Sequence, residues 1–377
     1  MLGAVVGIAA VLVGASPEPG AQAPAPGPSA QDAPAPGRAA VVLSLPASPY
    51  REVAEEIAGA EGLPLVASLA AAPPTPATLH VLWIAAPGEL SDAVMVQAGL
   101  FLRDHPRLAV GIITGSTPEL ARALWLRGPW ARGERAASAV AKQTGGGEGV
   151  PVGLVADGPD GRSRGPLTTE AFANALTATD YVSFAGHGTS VSLALPGEAR
   201  FRADSIPLLG PVVVATGACN TLRPWAPGSL ALAFVDRGAA AYAGFVYSPI
   251  SGYLLGQFRD LPHRHSWPGF SMGDVIRLQN QGTRKGFAAF PYYLLLGDPR
   301  IHLRGDAPYR VLRDETSDGE RVVELELASG GVIPVRVPGG EGYGFVRVPG
   351  VGSLWEGDRF YNSRLQMADD GEDKLLL

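Results

Sequence analysis

The sequence predicts an α/β protein, with a mostly parallel sheet and flanking helices in two subdomains, followed by a small all-β module. Three observations carry this reading. From Arg38 onward, short β-branched runs alternate with amphipathic stretches, the pattern of βαβ units. The Gly-rich run KQTGGGEG at 142–149 interrupts that alternation and divides it in two. After Asp306 the helical stretches stop, and alternating strands with Gly and Pro turns take over.

Taken in order, residues 1–23 hold an apolar run, LGAVVGIAAVLVGA, of signal-peptide h-region length, closing on an A-x-A context at Ala21–Ala23. It reads as a signal peptide or weak anchor, and export to the cell envelope or beyond follows. No Lys or Arg precedes it, and it falls short of the roughly 18 residues of a membrane span. Residues 24–37 are almost wholly Pro, Ala, Gly and Gln, a linker composition. The N-terminal subdomain, 38–147, offers strands at AVVLSL, LHVLWIAA and LAVGIITG. Between and after them lie helices, one opened by Ser91 and one capped by Ser116 or Thr117 with Pro118 in its first turn. The second subdomain, 148–306, continues with strands GLVAD, YVSFAG, PVVVATG, AAAYAGFVY and YYLLLGD. Its helices are expected near 168–178, 228–238, 250–260 and 271–281. Residues 307–377 form the β module.

Composition narrows the function. The chain has 377 residues, 46% hydrophobic and 18% charged, which suits a large core. A net charge of -6 argues against nonspecific nucleic-acid binding, so the expected partners are proteins, peptides or small molecules. The chain carries one cysteine, Cys219, which excludes an intrachain disulfide and leaves a free thiol.

Two apolar strands end alike. YVSFAGHGTS runs into His187, and VVVATGACNT runs into Cys219. In parallel α/β sheets, chemistry gathers beyond the carboxyl ends of strands. Gly186 and Gly188 bare the backbone on either side of the imidazole, and Gly217 and Ala218 do the same before the thiol. The pattern supplies a nucleophile, a proton donor and two backbone N–H groups, those of Gly188 and Cys219, for an oxyanion. Either residue alone is commonly structural: a buried small hydrophobe for Cys219, a satisfied imidazole for His187. Their matched placement favours catalysis.

These motifs resemble clan CD cysteine peptidases, and the gingipain family most closely. AFANALTATDYVSFAGHGTS, GPVVVATGACNT, GSLALAFVDRGAAAYAGFVYSPISGY, PGFSMGDVIRLQN and YYLLLGDPRIHLR occur in that family's order. LAVGIITGSTPELARAL resembles the end of its first subdomain, with Ile112 where Arg is usual. The resemblance spans about residues 108–305 well and 38–107 loosely. It implies a caspase-like sheet, an Ig-like C-terminal module, and an endopeptidase with nucleophile Cys219 and general acid His187. Structural calcium enters by the same analogy, while the reaction itself requires no cofactor. Where the family carries an extra helix and strand, this chain has DGPDGRSRGP, and the caspase signature Q-A-C-x-G is absent.

Candidates for the substrate pocket are Asp157, Asp160 and Tyr247, with a turn as the default reading of the two acids. His263 and His265 form a weak metal pair without further ligands nearby in sequence, so no metal site is expected. GGGEG lacks the Lys and Ser/Thr of a phosphate loop, and Asp298 reads as a turn residue. Two other functions fit the same residues: a catalytically silent surface or scaffold protein, and a thiol amidase or acyltransferase that cleaves no protein.

Overall fold

The computed structural model describes residues 7–13, 40–72, 79–105, 107–128, 138–142, 153–158, 161–248, 270–281, 293–302, 309–317, 320–327, 335–337, 339, 345–348, 352–355, 367–370 and 373–376. Strand β1 is Gly7–Val13. The first α/β stretch holds β2 (Ala40–Leu43), α1 (Arg51–Glu61), β3 (Leu65–Val66), β4 (Leu79–Ile84), α2 (Asp92–Asp104), β5 (Leu108–Ile113), α3 (Pro118–Arg127) and β6 (Ser138–Lys142). The second begins with β7 (Gly153–Gly158), β8 (Gly161–Gly165), α4 (Thr169–Ala178), β9 (Tyr181–Ala185), β10 (Gly188–Thr189), β11 (Ser192–Ala194) and β12 (Arg200–Arg202). It closes with β13 (Val213–Thr216), α5 (Leu230–Asp236), β14 (Ala241–Phe245), α6 (Met272–Gln281) and β15 (Tyr293–Gly297). The C-terminal strands are β16 (Tyr309–Ser317), β17 (Glu320–Leu327), β18 (Val335–Val337), β19 (Phe345–Val348), β20 (Gly352–Trp355), β21 (Met367–Asp370) and β22 (Asp373–Leu376).

Both α/β stretches build one sheet, in the order β3-β2-β4-β5-β15-β14-β13-β9-β6-β7-β8. Most neighbours are parallel. The antiparallel contacts are β14 with β15, β6 with β7 and β7 with β8. The segment 142–149 joins β6 to β7, which are neighbours in the sheet. Continuous apolar strands such as β13 and β14 are buried along their whole length, as a sheet covered on both faces demands.

Helix starts follow the side-chain chemistry of their caps. Ser91, Thr117, Thr168 and Ser229 each accept from the backbone N–H three residues on, satisfying a donor that the helix cannot. Of the two candidates before α3, Thr117 caps. Ser116 instead hydrogen-bonds Asp236 at the end of α5. The helix expected near 250–260 lies outside the described residues. DGPDGRSRGP contributes a hairpin arm, because β8 pairs back on β7 with Asp157 opposite Arg162.

One face of the sheet carries α6 against Tyr181, Phe245 and Tyr293, with Met272 and Ile276 from the helix. The other carries an aromatic row. Phe172 of α4 meets Phe201 of β12 edge-on at 4.8 Å, Phe201 lies 6.2 Å from Phe234, and Phe234 stacks on Tyr242 at 5.2 Å. Such ring contacts add about 0.5–1.5 kcal/mol each beyond burial. Through Phe201, they fix the small sheet β10-β11-β12, which follows His187, onto the main core.

The C-terminal module consists of antiparallel sheets, β16-β17-β1-β19-β20 and β18-β22-β21. The run that reads as an h-region is therefore a strand here. β1 pairs along its length with β17, Gly7 opposite Glu326 through Val13 opposite Glu320, and pairs again with β19. No described helix is long and apolar enough to cross a membrane. A chain beginning at Arg38 is expected to keep the α/β sheet, since among the described residues β1 pairs with β17 and β19. It is expected to lose amide protection in β17 and β19, whose shared neighbour would be gone. Hydrogen exchange measured on both chains checks this; unchanged protection at 320–327 and 345–348 would refute the pairing.

Candidate active site

His187 and Cys219 are placed by one register. β9 and β13 are parallel neighbours with Phe184 opposite Thr216. His187 stands three residues past Phe184 and Cys219 three residues past Thr216, so both leave the same edge of adjacent strands. The Gly217 N–H donates to the Phe184 carbonyl at 2.7 Å and carries the pairing one step beyond β13. Past that point the loops still touch. A Cβ on Gly188 would stand 2.9 Å from the Ala218 Cβ, so the residue after the histidine abuts the residue before the cysteine. His187 is exposed, while Cys219 is half-buried and its thiol is not in a disulfide.

The histidine loop is held by its carbonyl, which accepts from Ala194 N–H at 2.9 Å. That bond marks Gly188 and Leu193 as a non-hydrogen-bonded pair of β10 and β11, in which the Gly188 N–H points away from the partner strand. The Ser190 carbonyl accepts from Leu230 N–H at 2.7 Å and ties the loop to the start of α5.

The cysteine loop turns through Asn220, whose φ of 57° is left-handed, a conformation that Asn tolerates better than most residues. Its N–H donates to the Tyr247 carbonyl at 3.4 Å and its Nδ2 to Ser248 at 3.2 Å, so the loop leans on the end of β14. Tyr247 in turn donates its hydroxyl to the Asp92 carbonyl at 3.2 Å. Burial, then the Asp92 carboxylate, pushes the Tyr247 phenol upward in pKa. Arg223 pairs with that carboxylate and lies over Trp225, 5.6 Å from the ring centre. Asp92 is thus an acid already matched to a cation.

Beneath the loop lies a buried hydroxyl group cluster. Thr216 and Thr221 approach at 2.7 Å, Thr221 donates to the Ala218 carbonyl at 3.3 Å, and the Tyr242 hydroxyl lies 3.4 Å from Thr216. Burial raises the Tyr242 phenol to about 12. A Cβ on Gly244 would fall 2.7 Å from the Thr221 hydroxyl, so the cluster fits only over a glycine.

The expected pocket residues divide. Tyr247 borders the cysteine loop. Asp157 does not: it is opposite Ser138, and Ser138 is opposite Tyr181, the first residue of β9. It therefore stands two strands from β9 and at the end away from His187. Asp160, His263 and His265 lie outside the described residues. Among the described residues, no three or more His, Cys, Asp or Glu side chains group as metal ligands. Asp298 is in a turn, where it pairs with Arg300 and helps hold Glu61. Thr216, Thr221, Tyr242, Asp92 and Arg223 escaped the sequence reading; the Thr two residues past Cys219 was the one local signal.

No family model matches the chain, and no curated protein matches it. A solved structure described as "Structure of Protease" is similar to it at 8% identity and a TM-score of 0.42, over 82% of this chain and 94% of that one. A likeness at that level assigns neither a family nor an activity.

Proposed function

We propose that the protein is a cysteine endopeptidase acting through Cys219 and His187. The observation that carries this is the shared register of the two residues past Phe184 and Thr216, with Gly188 against Ala218. A peptide lying across the two loops would bring its scissile carbonyl to the thiol. Sγ of Cys219 adds to the carbonyl carbon while the thiol proton passes by way of His187 to the leaving nitrogen. The C–N bond breaks, releasing the amine and leaving a thioester on Cys219. Water then gives a proton to His187, attacks the thioester and frees the acid, and the proton returns to the thiol. The N–H groups of Gly188 and Cys219 are the donors assigned to the oxyanion, where each is worth roughly a hundredfold or more in rate. The chemistry needs no cofactor.

Selectivity for a basic residue before the scissile bond is expected to be weak. Asp157 stands at the far end of β9's neighbours, and Asp92 is paired with Arg223. A substrate guanidinium would shed hydration without a dedicated carboxylate. The test is a peptide-library cleavage profile, run beside labelling by a peptidyl electrophile. The expected results are hydrolysis, a single adduct on Cys219, and a preference for Arg over Leu below about a hundredfold, roughly 2.7 kcal/mol. A thiol that iodoacetamide alkylates, in a protein that neither cleaves peptides nor takes the peptidyl adduct, would overturn the proposal in favour of a silent scaffold.

A further inference from the structure

Thr221 is completely buried directly below the cysteine loop, and its side chain faces both loops of the site. Its hydroxyl donates to the carbonyl of Ala218 at 3.3 Å, and its Cγ2 lies 2.9 Å from where a Cβ on Gly188 would stand. The Ala218 carbonyl belongs to the same peptide unit as the N–H of Cys219. In a planar trans peptide, C=O and N–H point in opposite directions. A hydrogen bond that holds the carbonyl down into the core therefore aims the Cys219 N–H up and away from it.

A threonine hydroxyl has one hydrogen. With the Thr221 hydrogen on the Ala218 carbonyl, Thr216 gives its own to Thr221 at 2.7 Å, its shortest contact, rather than to the Ala243 carbonyl at 3.4 Å. Thr216 is then free to accept from Tyr242, 3.4 Å away. The order Tyr242, Thr216, Thr221, Ala218 is a donor chain in which each bond polarises the next. It is shielded from bulk solvent, since Thr216, Thr221 and Tyr242 are all fully buried. Gly244 leaves room for it: a Cβ there would meet the Thr221 and Thr216 hydroxyls at 2.7 and 2.9 Å.

We propose that Thr221 is a positioning residue that orients the Ala218–Cys219 peptide, its hydroxyl aiming the Cys219 N–H at the oxyanion and its methyl spacing the cysteine loop from Gly188. This rests on the reading of Cys219 as the nucleophile, and it assigns to Thr221 no contact with substrate. Thr221→Val keeps the methyl and removes the hydroxyl. It is expected to lower kcat for amide substrates by about 10-fold to 100-fold, a share of what a lost oxyanion donor costs, with KM within about twofold. Alkylation of Cys219 by iodoacetamide, which develops no oxyanion at a carbonyl, should proceed at the wild-type rate. Thr221→Ser restores the hydroxyl and should recover most of kcat.

Three results would overturn the proposal: kcat of Thr221→Val within twofold of wild type, a fall in alkylation equal to the fall in kcat, or a Thr221→Ser variant as impaired as the valine. Should Thr221→Val fail to fold, Thr216→Val removes the donor that feeds Thr221 and should show the same split in smaller size; wild-type kcat there overturns the chain. If the wild-type protein cleaves no peptide, the endopeptidase reading fails on that result alone. The orientation claim is then decided by the amide resonance of Cys219, which should shift in Thr221→Val and return toward wild type in Thr221→Ser. An unmoved resonance would overturn it.

Discussion

Cys219→Ala and His187→Ala are each expected to lower peptide hydrolysis by roughly 10⁴-fold or more, as loss of a nucleophile or its proton partner does elsewhere. Neither should unfold the protein. His187 is exposed and Cys219 half-buried, both beyond the strand ends rather than within the packed clusters. Substitutions at such positions usually move stability by less than about 0.5 kcal/mol. The double variant is the more telling measurement. Groups that act as a unit lose their contribution together, so removing both should cost about as much as removing one. Steady-state rates on a fluorogenic peptide, with melting curves for all three variants, check this. Either single variant retaining activity within a few-fold of wild type would exclude the dyad. A double variant slowed by the full product of the two single losses would mean that the residues contribute independently.

The parts of this site legible in the sequence are those written in the order of residues along one strand. β9 and β13 are continuous apolar runs because the sheet covers them on both faces, and Gly or Ala beside His187 and Cys219 mark where side chains must clear. The parts that were not legible depend on which strand lies beside which. SAVAK at 138–142 is short and carries no strong periodicity, yet it pairs with β9 along its whole length. Asp157 lies near the end of β7, which by sequence order leads toward what looks like the site. β7 runs antiparallel to β6, so each residue toward Asp157 moves away from His187. The hydroxyl chain under Cys219 was invisible for a related reason: Thr216 and Thr221 are near in sequence, but Tyr242 and Gly244 come from the next strand over. The apolar run at 7–13 shows the converse limit. Its composition suits a leader and a strand equally well, and the distinction lies in whether β17 and β19 leave a place for it.

Asp274→Ala should destabilise the α/β unit by about 3–5 kcal/mol, the range for deleting an ionised acceptor of several buried donors. Ser271 and Asp274 stand three residues apart at the start of α6, the spacing of a capping box. In the structure the box is closed: Ser271 N–H donates to Asp274 Oδ2 at 2.9 Å, and Asp274 N–H to Ser271 Oγ at 3.1 Å. The box also binds outward. Ser271 Oγ donates to Asp274 Oδ2 at 2.9 Å, and His80 Nε2 lies 2.9 Å from the same oxygen of Ser271. With its one hydrogen given to the carboxylate, Ser271 receives the proton on His80 Nε2. Arg277 completes the set at 3.3 Å from Asp274 Oδ1, with 3% of its side chain exposed and none of the aspartate's. The group thus pins the first turn of α6 to β4, with Gly273 so close to Pro299 that a Cβ would meet it at 2.7 Å. Alanine withdraws the charge from Arg277 and two acceptor contacts from Ser271 at once. Asp274→Asn keeps an oxygen for Ser271 but removes the charge and turns an NH2 donor toward Arg277 Nε, so more than half of the loss is expected. Thermal melts should drop by about 5–15 °C for alanine, given a few degrees per kcal/mol in a domain of this size, with asparagine in between. A melt unchanged for alanine would show that the first turn of α6 is held by its apolar face alone, and equal losses for both variants would show that the charge on Asp274 carries the whole effect.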